Sequence, residues 1–202
     1  MVNPINTLMN TKTILLGALI AMSLFACKEE KGTEKVAQEI EEEVIIEEDT
    51  TFEDDAPILL GSFTRDTLES APYNKWFIQS YKDHAVDENS LSLVKEHLKD
   101  ASVTVFMGTW CEDSQREVPA FFKILDEINY ESDAIKVITI SEEKDEPAAL
   151  LKDQDITNVP TFVFSKNGTE MGRIVEYPLE SLEKDMIKIL SGADYQHAYE
   201  TE

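Results

Sequence analysis

The residues best suited to chemistry form the run Trp110-Cys111-Glu112-Asp113-Ser114, which lies between a short apolar run and an amphipathic helical pattern. A cysteine that opens a helix lies among unpaired backbone N–H groups at the positive end of the helix dipole, where a thiolate is stabilised. Ser114 follows three residues later on the same helix face. Its hydroxyl can donate a hydrogen bond to the sulfur but cannot form a disulfide with it. Cys111 is therefore a candidate nucleophile without a resolving thiol at the third position after it.

Two acidic residues, Glu112 and Asp113, separate the cysteine from the serine. Acids in the first turn of a helix interact favourably with the helix dipole, but their negative charge opposes a nearby thiolate. Each effect is worth about 1 kcal/mol or less at exposed sites. The sequence leaves open which of the two effects is larger at Cys111.

The elements on either side of Cys111 are predicted by two apolar patterns. Residues 103–107 are rich in β-branched side chains, as a central parallel strand is. The segment Ile135–Ile140 has the same character and predicts the next strand. The strand, helix, strand order predicts a right-handed crossover between parallel strands. The apolar face of the intervening helix consists of Val118, Phe121, Phe122, Leu125 and Ile128.

Two helices are predicted ahead of the first strand. An aromatic stripe follows Pro72 at helical spacing, with the proline near the first turn, and apolar residues recur again at Leu91, Val94 and Leu98. Such a stripe more often packs in a core than binds a ligand, although it could also cover the sheet edge or form one wall of the Cys111 cleft. The stripe consists of Tyr73, Trp76, Phe77 and Tyr81.

The C-terminal half predicts a hairpin and a closing helix. A short helix is expected near Pro147–Lys152, and the strands Thr161–Phe164 and Arg173–Val175 flank Asn167-Gly168. Asn-Gly favours a type I′ turn because both central residues need positive φ. A final amphipathic helix is expected to begin at Pro178. The whole pattern predicts an α/β fold with a mixed central sheet flanked by helices.

Residues 103–190 resemble the thioredoxin-like superfamily. The resemblance depends on Trp110-Cys111 at a strand-to-helix turn and on Val159-Pro160-Thr161 about fifty residues later, with the elements in the family's order. It implies that Pro160 is a cis proline facing Cys111, and that Pro119 kinks the helix. It also implies that Trp110 flanks a cleft and that the backbone of Val159 and Thr161 binds an extended client chain.

The chain departs from that family pattern at two positions that matter for chemistry. Ser114 replaces the second cysteine, which excludes a dithiol cycle with an internal disulfide. Val105 stands where thioredoxins carry a buried carboxylate that helps to move protons. The resemblance therefore implies a monothiol variant, in which an external thiol or reductase must release the client.

The N-terminal residues predict export and lipidation. Thirteen mostly apolar residues, Thr13–Phe25, follow Lys12 and are too few to span a bilayer, but they suit a secretory signal. Leu24-Phe25-Ala26-Cys27 resembles a bacterial lipobox, which implies removal of residues 1–26 and acylation of Cys27. Met9 is an alternative start, and a buried core helix is the alternative interpretation of the apolar run. The acids that follow Cys27 resemble the export tag of Bacteroidetes surface lipoproteins.

Composition divides the rest of the chain. Residues 27–56 form an acidic linker that cannot bury a core, because thirteen acidic and three basic residues lie between Lys28 and Asp55. A helical extension at 57–101, a thioredoxin-like domain at 102–192 and a C-terminal tail at 193–202 are expected to follow. From Ala56 onward the net charge is −14, which makes nucleic acid an unsuitable partner.

Metals and cofactors are not expected. The three histidines, His84, His97 and His197, have no metal-ligand spacing among themselves or with Cys111. No glycine-rich phosphate loop is present. The pattern expected around a peroxidase cysteine is also missing.

Two functions are consistent with the sequence. The first is a lipid-anchored protein of the cell envelope, on the periplasmic or surface-exposed face, that performs monothiol disulfide exchange on cysteine-containing envelope or surface proteins through Cys111. The second is a non-redox binding module that recognises a peptide or protein partner in the same cleft, because a fold by itself does not determine function.

Overall fold

The computed structural model describes residues 56–131 and 135–200, and this part contains five strands and six helices. The predicted signal peptide, the lipidation site Cys27 and nearly all of the predicted linker lie outside the described residues. No helix in the described part is long and apolar enough to cross a membrane. The elements are β1 Gly61–Phe63, α1 Arg65–Leu68, α2 Asn74–Asp83, α3 Leu91–Leu98, β2 Ser102–Met107, α4 Glu112–Glu127, β3 Lys136–Thr139, α5 Ala148–Leu151, β4 Thr161–Lys166, β5 Thr169–Val175 and α6 Leu182–Ser191.

The strands form one mixed sheet in the order β1-β3-β2-β4-β5. Strands β2 and β3 are parallel, as the predicted crossover requires, and the other three pairings are antiparallel. Asn167 and Gly168 both have positive φ between the paired residues Lys166 and Thr169, so the Asn-Gly hairpin is present. The predicted α/β fold with a mixed sheet flanked by helices is confirmed.

The sheet is covered on both faces, but unequally. Alternate residues of β2 point in opposite directions, so Val105 belongs to a large core with α2, α3, α4 and α6, whereas Phe106 belongs to a smaller cluster. The smaller cluster also contains Trp110 and Cys111 at its margin. Its buried members are Phe106, Ile138, Ile140, Val159 and Val163.

Helix α4 is buried on two sides by aromatic contacts. The Phe121 ring lies 5.1 Å from the ring of Phe162 in β4, and the Phe122 ring lies 6.1 Å from the ring of Phe77 in α2. Phe77 and Tyr73 are buried, so the aromatic stripe of α2 packs in the core. Pro119 lies within α4, as the family resemblance implies.

Arg65 connects α1 to α2 and α4. Its guanidinium donates two hydrogen bonds to Asp126, at 2.7 and 2.8 Å, and its charge lies 5.2 Å from the centre of the Phe122 ring. Tyr81 donates a further hydrogen bond to Asp126. Burial raises the pKa of the Asp126 carboxyl, but the hydrogen bonds from Arg65 and Tyr81 outweigh burial and hold that pKa below its usual value.

Two short elements were not predicted from the sequence. They are strand β1 and helix α1, because three or four residues show no periodicity. The segment 57–101 therefore supplies one edge strand of the sheet as well as helices. Helix α2 begins at Asn74, so Pro72 lies near its first turn as predicted.

Helix α6 begins later than predicted, at Leu182 instead of Pro178. The hydroxyl of Ser181 accepts a hydrogen bond from the Lys184 N–H and caps the helix. The buried Asp185 carboxylate accepts hydrogen bonds from the N–H groups of Leu179 and Glu180. These bonds hold the residues after Pro178 in a turn.

We predict that Asp126→Ala lowers the free energy of unfolding by about 2 kcal/mol, because it removes charged hydrogen bonds and leaves Arg65 half-buried without its main partner. Glu69→Ala removes a partner that accepts one hydrogen bond from the same guanidinium, whereas Asp126 accepts three from Arg65 and Tyr81, and it should cost less than about 1 kcal/mol. Urea unfolding of both variants measures the difference. Equal losses of unfolding free energy in the two variants would show that Asp126 stabilises the fold no more than Glu69 does.

Candidate functional site

Cys111 lies at the boundary between an extended turn and helix α4. It is the N-cap residue, with φ −94° and ψ 121°, and its carbonyl accepts the first helical hydrogen bond from the Gln115 N–H at 2.9 Å. Its N–H donates to the Gly108 carbonyl at 3.1 Å. The side chain is half-buried. The sulfur is therefore held at the start of a helix, where the sequence predicted it, and remains partly accessible.

The thiol and the serine hydroxyl have different partners. Cys111 Sγ donates to the Val159 carbonyl at 3.2 Å, whereas Ser114 Oγ accepts from the Gly108 N–H at 3.2 Å. Ser114 is completely buried. The hydroxyl therefore closes the turn between β2 and α4. Ser114 and Cys111 therefore bond to these two backbone groups, and the predicted hydrogen bond between the serine hydroxyl and the sulfur is not formed.

Trp110 is fixed beside the cysteine by its ring nitrogen. Its Nε1 donates to the Ile140 carbonyl at 3.0 Å, and the indole packs against the smaller apolar cluster. Gly108 makes this position possible, since a Cβ atom there would lie 2.4 Å from the indole ring. The Lys144 ammonium lies 5.7 Å from the centre of the same ring. Trp110 thus flanks the thiol, and the need for glycine at 108 was not recognised from the sequence.

The peptide bond between Val159 and Pro160 is cis, as the family resemblance implies. Val159 and Pro160 are buried, and the Pro160 carbonyl accepts a hydrogen bond from the Glu176 N–H at 2.7 Å. Thr161 is also buried, and its hydroxyl donates to the Asn158 carbonyl at 2.7 Å. This segment is thus held between Cys111 on one side and the end of β5 on the other. The structure brings together Trp110, Cys111, Val159, Pro160 and Thr161.

The acids beside the cysteine have unequal surroundings. Arg116, one turn into α4, forms ion pairs with Asp113 and with Glu117. Glu112 is exposed. The charge of Asp113 is therefore balanced locally, and Glu112 is the acid that adds negative charge beside Cys111. No group of three or more metal-ligating side chains occurs in the described part of the chain.

The comparisons with known proteins identify the family. The family model described as thioredoxin matches residues 65–188, which is more than half of the 202 residues. This chain belongs to the thioredoxin family. The match begins at residue 65, so the helices that we expected ahead of the family's core lie within the matched range.

Among curated relatives, thioredoxin H5 of Oryza sativa subsp. japonica is 27% identical over 124 residues, which cover 61% of this chain and 87% of the relative. A solved structure of a protein of unknown function from Pseudomonas aeruginosa is 17% identical, covers 61% of this chain and 86% of its own, and has a TM-score of 0.41. An HIV epitope-scaffold is 16% identical, covers 61% of this chain and all of its own, and has a TM-score of 0.35. These two structures contribute nothing further to the assignment.

We predict that Gly108→Ala destabilises the fold by about 1–3 kcal/mol, because the added methyl group displaces the indole of Trp110. In a Trp110→Ala background, the same substitution should cost less than half as much. Urea unfolding of the four proteins of this double-mutant cycle measures the coupling. Equal costs in the two backgrounds would show that the methyl group meets something other than the indole.

Proposed function

We propose that this protein performs monothiol thiol–disulfide exchange with Cys111 as the nucleophile. The observation that supports the proposal most directly is the position of Cys111 Sγ, 3.2 Å from the carbonyl that precedes the cis Pro160, at the start of helix α4. The sulfur faces the one segment of the cleft whose backbone can bind an extended chain. Membership of the thioredoxin family is consistent with redox chemistry at this position.

The first step is attack by the Cys111 thiolate on one sulfur of a client disulfide. A bond forms between Cys111 Sγ and that sulfur, the client's S–S bond breaks, and the second client sulfur leaves as a thiolate that takes up a proton. The thiol proton of Cys111 goes to solvent before the attack. The product is a mixed disulfide, and no net oxidation or reduction has occurred at this stage.

The backbone near Pro160 gives the mixed disulfide a means of holding the client. In the free thiol form, the Val159 carbonyl accepts the S–H of Cys111. Once the sulfur is bonded to the client it has no proton to donate, so this carbonyl becomes available to a client N–H. Strand addition of this kind supplies affinity through main-chain hydrogen bonds. Covalent capture and backbone binding are thereby linked through one carbonyl oxygen.

Release of the client needs a thiol from outside the domain. Cys111 is the only cysteine in the described part of the chain, and the buried Ser114 cannot attack a disulfide. A small thiol or a protein dithiol can attack Cys111 Sγ and free the client as a thiol, after which a second thiol frees Cys111. Attack by a different thiolate of the client instead yields a rearranged client disulfide, whereas return of the thiolate that left restores the original one. The buried Val105 provides no carboxylate to assist these proton transfers.

The proposal includes a lipid anchor at Cys27 and clients in the cell envelope. It is supported by the apolar signal sequence, by the Leu24-Phe25-Ala26-Cys27 ending and by the acidic linker that follows. An anchored domain at an oxidising location would meet disulfide-bonded proteins. The acidic linker would keep the domain away from an anionic membrane surface by charge repulsion.

The second candidate function is a non-redox binding module. It is favoured by the Ser114 hydroxyl, which is committed to Gly108 instead of to the sulfur. In that case the cleft binds a partner chain through Trp110 and Val159, and the thiol of Cys111 is incidental. Exchange at Cys111 distinguishes the two functions directly.

We predict that the reduced Cys27→Ser chain, in which Cys111 is the one thiol, forms a mixed disulfide with one half of a peptide dimer that is joined by an intermolecular disulfide, because the other half leaves as a free thiol. The further substitution Cys111→Ser should abolish the adduct, as followed by mass spectrometry under non-reducing conditions. Glutathione should then release the peptide. Failure to form any adduct at Cys111 would leave the binding module as the better description.

We predict that Ser114→Cys makes the adduct short-lived, because the introduced thiol lies one helical turn from Cys111 and can attack the mixed disulfide internally. The peptide is then released without added thiol, and the protein gains an internal disulfide. Ser114→Ala is the matched control, since it removes the hydroxyl without adding a thiol, and its adduct should persist.

We predict that Cys27→Ala abolishes incorporation of a labelled fatty acid and moves the protein from the membrane fraction to the soluble fraction. The test is metabolic labelling in a bacterial host that processes lipoproteins, with Cys111→Ala as the control. Protease treatment of intact cells then distinguishes the two faces of the membrane. Undiminished labelling of Cys27→Ala would contradict the anchor.

A further inference from the structure

The chain turns sharply at the end of β5, directly beside the cleft. Glu176 has φ +66°, an uncommon value for a residue with a side chain, and its N–H donates to the Pro160 carbonyl. Tyr177 follows, and 44% of its surface is exposed. Tyr177 therefore follows directly after the residue that contacts the cis proline, and its ring lies at the margin of the client site.

The C-terminal segment returns to this place. The ring of Tyr199 packs edge-to-face on the ring of Tyr177, with centroids 6.2 Å apart and an interplanar angle of 65°. Tyr199 is 43% exposed, and its N–H donates to His197 Nδ1 at 3.2 Å. The segment predicted as a tail is thus folded back against the end of β5 as far as Glu200. Its aromatic residue adds to the exposed surface of Tyr177.

The exposed ring faces and the nearby acids are all attractive to cations. The face of an aromatic ring carries negative electrostatic potential and binds ammonium and guanidinium groups. Among the residues that the structure describes, no cation forms an ion pair with Glu176 or Glu200. Other acids of the same region are paired, as Glu170 is with Arg173 and Glu180 with Lys188. Within the described part of the chain, Glu176 therefore carries an unpaired negative charge next to Tyr177, and Glu200 has no ion pair although it lines a pocket that Arg173 also lines.

We propose that Tyr177 and Tyr199 form a subsite that binds a lysine or arginine side chain of the client, within a few residues of the client cysteine captured by Cys111. This inference depends on the proposed exchange function, because it assigns the client class of the same cleft. A cationic side chain can lie on the tyrosine rings and meet the carboxylates of Glu176 and Glu200. An acidic client would be repelled by the same groups.

The test compares peptides that differ only beside the cysteine. Each peptide carries one cysteine activated as a disulfide with thionitrobenzoate, and the flanking residue is Lys, Gln, Leu or Glu. Attack by Cys111 of the reduced Cys27→Ser chain, which has no other thiol, releases the coloured thiolate and gives the rate of adduct formation. We expect the Lys peptide to react about three to ten times faster than the Gln peptide, and the Glu peptide to react most slowly.

Substitutions separate the subsite from general attraction to an acidic protein. Tyr177→Leu and Tyr199→Leu should lower the rate with the Lys peptide more than the rate with the Gln peptide, and so lower the Lys-to-Gln rate ratio. Tyr177→Phe and Tyr199→Phe keep the ring and should keep the ratio. Glu176→Gln should lower the ratio more than Glu96→Gln, which removes the same charge from helix α3. Unchanged urea midpoints establish that the variants are folded.

The outcomes distinguish this inference from the exchange function. A rate ratio unaffected by the two leucine variants, or a preference for the Leu peptide, overturns the subsite while exchange at Cys111 stands. If no peptide forms an adduct, exchange fails. Calorimetric binding of the same peptides with serine in place of cysteine then decides the subsite by itself, and equal affinity for the Lys and Gln peptides overturns it.

Discussion

The position of the Cys111 sulfur depends on the burial of helix α4 between the sheet and helix α2. Phe121 packs on β4 and Phe122 packs on α2, so the helix is held from two sides along its length. The turn from Gly108 to Trp110 is the only connection between β2 and the N-cap Cys111. Because both ends of this short turn belong to rigid elements, the sulfur has little freedom to move relative to Val159. Arg65 and Asp126 reinforce the same arrangement from the outer side of the helix.

The two polar side chains at the start of α4, Ser114 and Cys111, have different roles. Ser114 is committed to the turn, since its buried oxygen binds the Gly108 N–H. Cys111 donates its hydrogen bond to the Val159 carbonyl, and the proposed exchange would break this bond. A cysteine in place of Ser114 would provide a resolving thiol, but it would remove the hydrogen bond between the serine hydroxyl and the Gly108 N–H. Under the proposed function, the site forms a mixed disulfide and another molecule resolves it.

The many acids of this domain do not all serve solubility. Glu183 is buried in the first turn of α6, where it accepts the Asp87 N–H and lies 3.5 Å from His84 Nε2. Burial raises its pKa, but the nearby His84 ring and the hydrogen bond from the Asp87 N–H outweigh burial and lower that pKa to about 2. Asp185 accepts two backbone N–H groups ahead of the same helix and a hydroxyl proton from Tyr195. Buried carboxylates therefore fix the start of α6 and, through Tyr195, the segment that leads to Tyr199.

The sequence by itself determined the order of the main elements and the location of Cys111 at the start of a helix. These predictions succeeded because they depend on local patterns. The apolar periodicity of β2 and α4 and the turn preference of Asn167-Gly168 each involve residues that are close together in the chain. The pairing of Cys111 with Val159, the partner of Ser114 and the contact between Tyr177 and Tyr199 were decided only by the tertiary structure. Cys111 and Val159 are 48 residues apart, and the two tyrosines lie on segments separated by α6. Such partners are selected by the packing of whole elements, which no local pattern of residues records.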